Sequence, residues 1–273
     1  MRERAGAYPY AAYAFAFFLA PLLLVVFYSV TRTTPEGLKL TFAHFFRFFD
    51  VREPQYMKVL FGSLRIALYT TCICLVLGYP AAYILATLPK RKRSLLAMLF
   101  ILPMWMNFLL RTYAWMSLLE SNGIINMVLR RFGLPAMQLM YTEGAVVLGL
   151  VYNFLPFMIL PIYNMLIKID SSLLDSAEDL GATPVQTFVK VTIPLTLPAI
   201  VSGFNMVFMP SVTTFVISRL LGGTSTVLIG DLIEKQFKLV DDKGFGSAMS
   251  VIIMAFILVF VGLSGSADRE EVF

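Results

Sequence analysis

Lys168 to Pro198, KIDSSLLDSAEDLGATPVQTFVKVTIPLTLP, is a polar stretch set between two long apolar runs, and its internal order is more specific than a spacer needs. Ser172 and Asp175, three residues apart, have the spacing of a capping box that opens a short helix. Helical periodicity then places Leu173, Leu174, Ala177 and Leu180 on one side and Asp175, Glu178 and Asp179 on the other. Gly181 can take the left-handed conformation that ends such a helix, while Thr183, Pro184 and Gln186 supply the N-cap, first-turn proline and capping partner of a second one. The spacing predicts helix, glycine turn, helix. An amphipathic helix resting on lipid headgroups would satisfy the same local spacing.

The flanks of this stretch are lipid-like. Of 273 residues, 58% are hydrophobic and 14% charged, and the mean hydropathy of +0.77 lies outside the range of soluble domains. Apolar runs of the length that crosses a hydrocarbon core, roughly 20 residues, fall at about 10–30, 58–88, 94–119, 143–167, 195–217 and 246–263. They are continuous rather than alternating, so helices are expected and a β-barrel is not. The expected architecture is an all-α membrane protein with six transmembrane helices. Residues 1–57 would form an N-terminal anchor and external loop, 58–263 a five-helix core containing the loop 168–194, and 264–273 a tail.

Lys90, Arg91, Lys92 and Arg93 crowd the short turn between the second and third runs, and the positive-inside tendency puts that turn in the cytoplasm. The 168–194 loop and both termini then share its side, with Arg2 and Arg4 in agreement. The opposite loops hold more cations in total, but those loops are long and partly neutralised by Glu36, Asp50, Glu53, Asp231, Glu234, Asp241 and Asp242. The first run is too long and too aromatic for a cleaved secretory signal, and no small-residue cleavage site follows it. Cys72 and Cys74 lie two apart on one helix, so their side chains diverge and form no framework disulfide. The sequence pI of 9.2 comes without a basic stripe interleaved with aromatics, so nucleic acid is not expected as a partner, and the cation cluster suits an anionic leaflet.

Catalytic sets are missing. The single histidine, His44, sits among Phe42, Phe45, Phe46, Phe48 and Phe49 in a segment that reads as partly buried and amphipathic. The chain has neither a His-Glu-x-x-His helix nor a Gly-x-x-x-x-Gly-Lys-Ser/Thr loop, so no metal site or ATP cradle is expected in it. Pro21, Pro80, Pro103, Pro156, Pro161, Pro198 and Pro210 fall within or at the edges of the runs, where each removes a backbone hydrogen bond. Such breaks suit a translocation route, and also simple kinking for packing.

The loop resembles the cytoplasmic motif of permease subunits in bacterial ABC importers, which reads Glu-Ala-Ala, three residues, Gly, nine residues, Ile-x-Leu-Pro. Here Asp175-Ser176-Ala177, Gly181 and Val191-Thr192-Ile193-Pro194 keep that spacing. Other segments resemble spermidine/putrescine-type permeases. They are Leu77 to Tyr83, Leu102 to Trp105 with Asn107, Arg111 and Tyr113, Gly123 to Asn126, Gly149 to Tyr152, Leu155 to Phe157, Leu220 to Gly223, Ile229-Gly230, Leu232-Ile233, Gln236-Phe237 and Gly244 to Ala248. The chain departs from them at Arg219, where relatives often carry an acid, and at Lys243-Gly244, where Trp-Pro is frequent. The resemblance implies a type I ABC importer permease (MetI-like) fold in a bacterial inner membrane, not an enzyme. It implies a second permease, two copies of an ABC ATPase that bind ATP and Mg, an extracellular solute-binding protein, and a polyamine as solute. It assigns ATPase coupling to Asp175, Ser176, Ala177, Glu178, Asp179, Gly181 and Pro194.

A polyamine bears several ammonium groups on an apolar chain, so its route should offer acceptors and aromatic faces. Apart from Glu143 at the very start of the fourth, the runs contain no Asp or Glu, which leaves Trp105, Asn107, Tyr152, Asn153 and Asn205 as the candidate path residues, with Tyr163 and Asn164 also polar. Helix–helix hydrogen bonding or interfacial anchoring would account for the same residues. Arg65 and Arg111, near the outer ends of their runs, would repel a polyamine; snorkelling, pairing with Glu120 or a backbone carbonyl, or gating all account for them.

Overall fold

A computed structural model describes residues 13, 15–34, 37–50 and 54–270, with side chains omitted at 33–34 and 264–270. Arg2, Arg4, Glu36, Arg52, Glu53 and the last three tail residues lie outside the described set. Contacts divide the chain into two units, one built from the chain up to Leu60 together with Ile229–Leu263, the other centred on Phe61–Leu228.

In the first unit, helix α1 (Phe15–Ser29) is apolar all round and carries an almost continuous set of exposed Phe and Leu side chains, which suits lipid rather than water. A two-stranded antiparallel hairpin follows, β1 (Thr31–Thr34) with β2 (Gly37–Leu40), pairing Thr31 with Leu40. No periodicity in the sequence announced it. Helix α2 (Ala43–Phe48) buries Phe48 on the ring of Tyr56, which meets Phe245 edge-on at 4.9 Å. Arg47 covers the face of Phe245 at 4.3 Å and pairs with Asp242 at 3.0 Å. His44 is half-buried, as its aromatic neighbours suggested. It lies so close to Gly244 that a Cβ there would sit 2.5 Å from Nε2. Helix α10 (Ile229–Lys235) runs through a π-turn to a left-handed Asp241, and Asp242 then caps helix α11 (Lys243–Glu270) by accepting from Phe245 N.

The second unit is built around helix α7 (Glu143–Leu166) and helix α9 (Pro184–Thr213), which pack on each other more extensively than any other pair. Met158 of α7 is fully buried between glycines. A Cβ on Gly203 of α9 would lie 2.9 Å from its Sδ, and one on Gly78 would lie 3.0 Å from its Cγ. Gly78 belongs to α3 (Gln55–Thr87), so small residues let three helices approach closely, the usual solution where lipid supplies no hydrophobic drive between helices. Cys74, buried, joins Ile159, Ile162 and Val207 in this core, and Cys72 is exposed; both are free thiols. A second cluster near the other end of α7 gathers Val146, Leu150, Ile217 and Leu221, where the π-turn Ser218–Gly222 presses on Gly149.

The run 94–119 is not one straight helix. It divides into α4 (Lys90–Trp105) and α5 (Phe108–Leu119), and the chain bends at Met106 and Asn107, by 91° between Lys90–Trp105 and the stretch Phe108–Arg131. Pro103 withholds a ladder donor before the corner, and the Asn107 side chain caps α5 by accepting from Leu109 N and Leu110 N. The four cations Lys90 to Arg93 are the first turn of α4, and the connection from α3 is only Leu88 and Pro89. A short helix α6 (Ile124–Arg131) follows, its loop pinned by buried Asn126, which bonds Glu120 O, Met137 O and Met137 N. All six apolar runs are mainly helical where described, with breaks at Met106–Asn107 and Thr214–Phe215. Among the described residues, four helices, α3, α7, α9 and α11, are long and apolar enough to cross a membrane, and the bent pair makes a fifth if it counts as one span. The described stretch of α1, Phe15–Ser29, is fifteen residues.

Candidate functional site

The 168–194 loop folds as helix, glycine turn, helix. The first helix, α8 (Ser171–Asp179), starts one cap earlier than the spacing suggested: Asp170, not Ser172, is the N-cap and accepts from Ser172 N at 3.0 Å. Two short polar side chains compete here, and a cap must sit outside the helix with its oxygen aimed at the residue two or three ahead, which Asp170 alone does. Ser172 is already helical, and its carbonyl accepts from Ser176 Oγ at 2.6 Å. At the other end Gly181 takes φ +83°. Its N–H donates to Glu178 O at 2.8 Å and that of Ala182 to Ala177 O at 3.0 Å, the paired closure of a helix on a left-handed glycine. Thr183 and Gln186 then form a complete capping box at the start of α9, with Pro184 in its first turn.

This local order fixes what the helix presents. Asp175, Ser176, Glu178 and Asp179 are exposed, and Ala177 and Leu174 are half-buried. Leu180, placed by periodicity on the inward side, is instead 90% exposed, because the helix ends there and the chain turns away. Val185 is exposed beside it in sequence across the turn. An acidic helix with an uncovered leucine at its tip has the composition of a docking knob. Pro194 is not part of that knob: it lies ten residues along α9, about 15 Å by helical rise, just beyond the π-turn Phe188–Thr192. Its missing N–H breaks the ladder where that turn widens.

The candidate path residues are spread over several elements. Trp105 ends α4 and is 80% exposed, and Asn107 spends its side-chain oxygen on capping α5. The half-exposed Tyr152 of α7 meets Trp115 of α5 edge-on at 5.4 Å. Asn153, 3% exposed, donates to Gly149 O at 2.8 Å, but its Oδ1 has no donor among the described residues. The half-buried Asn205 on α9 also has an unpartnered Oδ1. Two acceptors without donors inside helices of this polarity are costly to keep, about 1–3 kcal/mol each, unless something transient or external satisfies them.

The two intramembrane arginines separate. Arg65 pairs with Glu143 at 2.5 Å, at the N-terminus of α7 where a carboxylate is favoured, rather than with Glu120. Arg111 is 9% exposed, and its Nε has no partner among the described residues. Sequence reasoning missed the bond between the Tyr79 hydroxyl and Thr196 Oγ1 at 3.0 Å, which ties α3 to α9. Its only sequence trace is one hydroxyl on each of two apolar runs.

Comparison with known proteins fits this geometry. Residues 75–269 match the family model described as binding-protein-dependent transport system inner membrane component. The spermidine/putrescine transport system permease protein PotB of Salmonella typhimurium (strain SL1344) is 41% identical over 249 residues, 89% of this chain and 86% of that protein. A chain from the crystal structure of a bacterial ABC transporter involved in the import of the acidic polysaccharide alginate superposes with a TM-score of 0.83 at 16% identity, covering 99% of this chain and 96% of its own. One from the inward-facing MetNI methionine ABC transporter superposes at 0.57 with 17% identity, covering 78% and 94%. The fold is therefore that of ABC importer permeases, and the chain is a multi-pass membrane protein that belongs to the family of binding-protein-dependent transport system inner membrane components.

Proposed function

We propose that this chain is the permease subunit of a spermidine/putrescine importer, forming half of the translocation path with a second permease. The observation that carries the reading is its 41% identity, over 89% of its length, to a spermidine/putrescine permease. Two copies of a separate ATPase bind ATP and Mg2+ and do the hydrolysis, and an external binding protein delivers the solute. The exposed acidic helix α8 and Leu180 receive the ATPase, with Asp175, Ser176, Ala177, Glu178 and Asp179 as the contact surface and Gly181 as the joint. Pro194 acts farther along α9. The loop and both termini lie on the cytoplasmic side, a reading supported by the four cations that open α4.

The solute's ammonium groups meet amide oxygens and ring faces rather than carboxylates. Asn153 and Asn205 support this, because each keeps a side-chain oxygen without a donor. Trp105 and Tyr152 offer ring faces along the same route, and Asn107 shapes the corner beside them. Weak, distributed contacts suit passage better than one tight pocket. The test is uptake of radiolabelled spermidine and putrescine by cells with and without this chain, challenged by unlabelled competitors. Uptake that is lost with the chain and competed by polyamines alone is the expected result; uptake indifferent to the chain overturns the reading.

A further inference from the structure

Near the end of α3 that leads into α4, an open groove of about 350 Å3 runs between α3 and the start of α9. Its walls include Tyr79, Tyr83 and Ile84 of α3 and Pro184, Val185 and Phe188 of α9. The Phe188 ring stands edge-on to Tyr79 at 5.8 Å and to Tyr83 at 5.2 Å. The hydroxyl of Tyr79 is already bonded to Thr196, so the groove presents ring edges, aliphatic carbons and little else. A peptide laid there would bring backbone N–H and C=O groups that such walls cannot satisfy. A hydrocarbon chain brings none.

The next feature along the chain is charged. Three residues after Ile84 the helix ends, and past Leu88 and Pro89 come Lys90, Arg91, Lys92 and Arg93. Chain geometry keeps Lys90 Cα within about 16 Å of Ile84 Cα, comparable to one leaflet's share, about 15 Å, of a bilayer core. Lys90, Arg91 and Lys92 are exposed, and none of the four cations pairs with a carboxylate among the described residues, those of α8 included. Pro89 gives α4 no side-chain cap, so the first-turn amides add donors and the positive end of a sixteen-residue helix. An apolar trough that leads to unpaired cations matches one molecule with an acyl tail and an anionic head.

We propose that this groove and the first turn of α4 together hold an anionic phospholipid of the adjacent leaflet, its acyl chain against Tyr83, Val185 and Phe188 and its phosphate on Lys90 to Arg93. The site joins α3, α4 and the start of α9, so an occupied groove braces the helices next to the α8 knob. It does not depend on which solute is carried. The test uses the full chain, purified in detergent with the subunits that accompany it and titrated with phosphatidylglycerol and with phosphatidylcholine. Lipid retention is read by native mass spectrometry. Phosphatidylglycerol should be retained at least tenfold over phosphatidylcholine. The double variant Arg91→Gln/Lys92→Gln should cut its retention by about fivefold per cation removed, leaving phosphatidylcholine unchanged. Val185→Trp, at an exposed position, should fill the trough and reduce both. Equal retention of the two lipids by the wild type, absence of retention because another subunit covers the groove, or variants that bind as the wild type does would each overturn the site.

Discussion

Two glycines show how differently one residue type can be required. Gly203 has an ordinary backbone, and what fixes it is space: a Cβ would press on the Sδ of Met158 and lie 3.3 Å from its backbone oxygen. Gly181 has nothing within 4 Å of its Cβ position, and what fixes it is φ +83°. Gly203→Ala should therefore lose about 1–3 kcal/mol by overpacking, read as a lower melting temperature of the detergent-solubilised chain. Gly181→Ala should cost about 1–2 kcal/mol of local backbone strain, and amide exchange should rise at Gly181 and Ala182 while the melting temperature of the α7–α9 pair stays put. Gly181 was legible in the sequence, because a glycine between two capped helices has one obvious role. Gly203 was not, because a glycine within an apolar run is indistinguishable from any small residue until its neighbour across the interface is known.

At the scale of elements, caps are the part of the chain most easily read and most easily misplaced. Thr183 and Gln186 folded as their spacing predicted, yet the start of α8 moved from Ser172 to Asp170, since both residues are competent and only geometry chooses. The distinction is measurable. Asp170→Ala should cost α8 about 1 kcal/mol and raise amide exchange at Ser172 and Leu173, whereas Ser172→Ala should leave that exchange unchanged. The corner between α4 and α5 was hidden for a different reason. Hydropathy averages over windows longer than the two residues at the bend, so a right-angled pair reads as one continuous run. Its signs, Pro103 and the capping Asn107, are each commonplace alone. Asn107→Ala should fray the first turn of α5 by about 1 kcal/mol, detectable as faster exchange at Leu109 and Leu110.

For the whole molecule, the membrane class, the helical fold and the loop between runs were all present in composition and spacing, because lipid forces each segment to satisfy its own backbone. Span number was harder: six runs are consistent with the helices seen, but one run is bent and only fifteen residues of α1 are described, so length alone supports four or five of them among the described residues. Path residues were harder still, since a polar side chain in an apolar run looks the same whether it caps a helix, as Asn107 does, or keeps an idle oxygen, as Asn153 does. Reversing charge on α8 with Glu178→Lys/Asp179→Lys should leave membrane insertion intact and separate ATP hydrolysis from uptake, so that the ratio of solute moved to ATP spent falls severalfold in reconstituted vesicles. An unchanged ratio would count against α8 as the contact surface. The joint behind that surface is unusually closed: the N–H groups of Leu180, Gly181, Ala182 and Thr183 are all bonded, three of them back into α8 and one to the Gln186 side chain. A linkage with no idle amide has no slack to take up. If α8 receives the ATPase as proposed, a shove delivered at its tip would turn α9 as a crank turns its shaft, with the stroke length set by stiffness built into four consecutive peptide units.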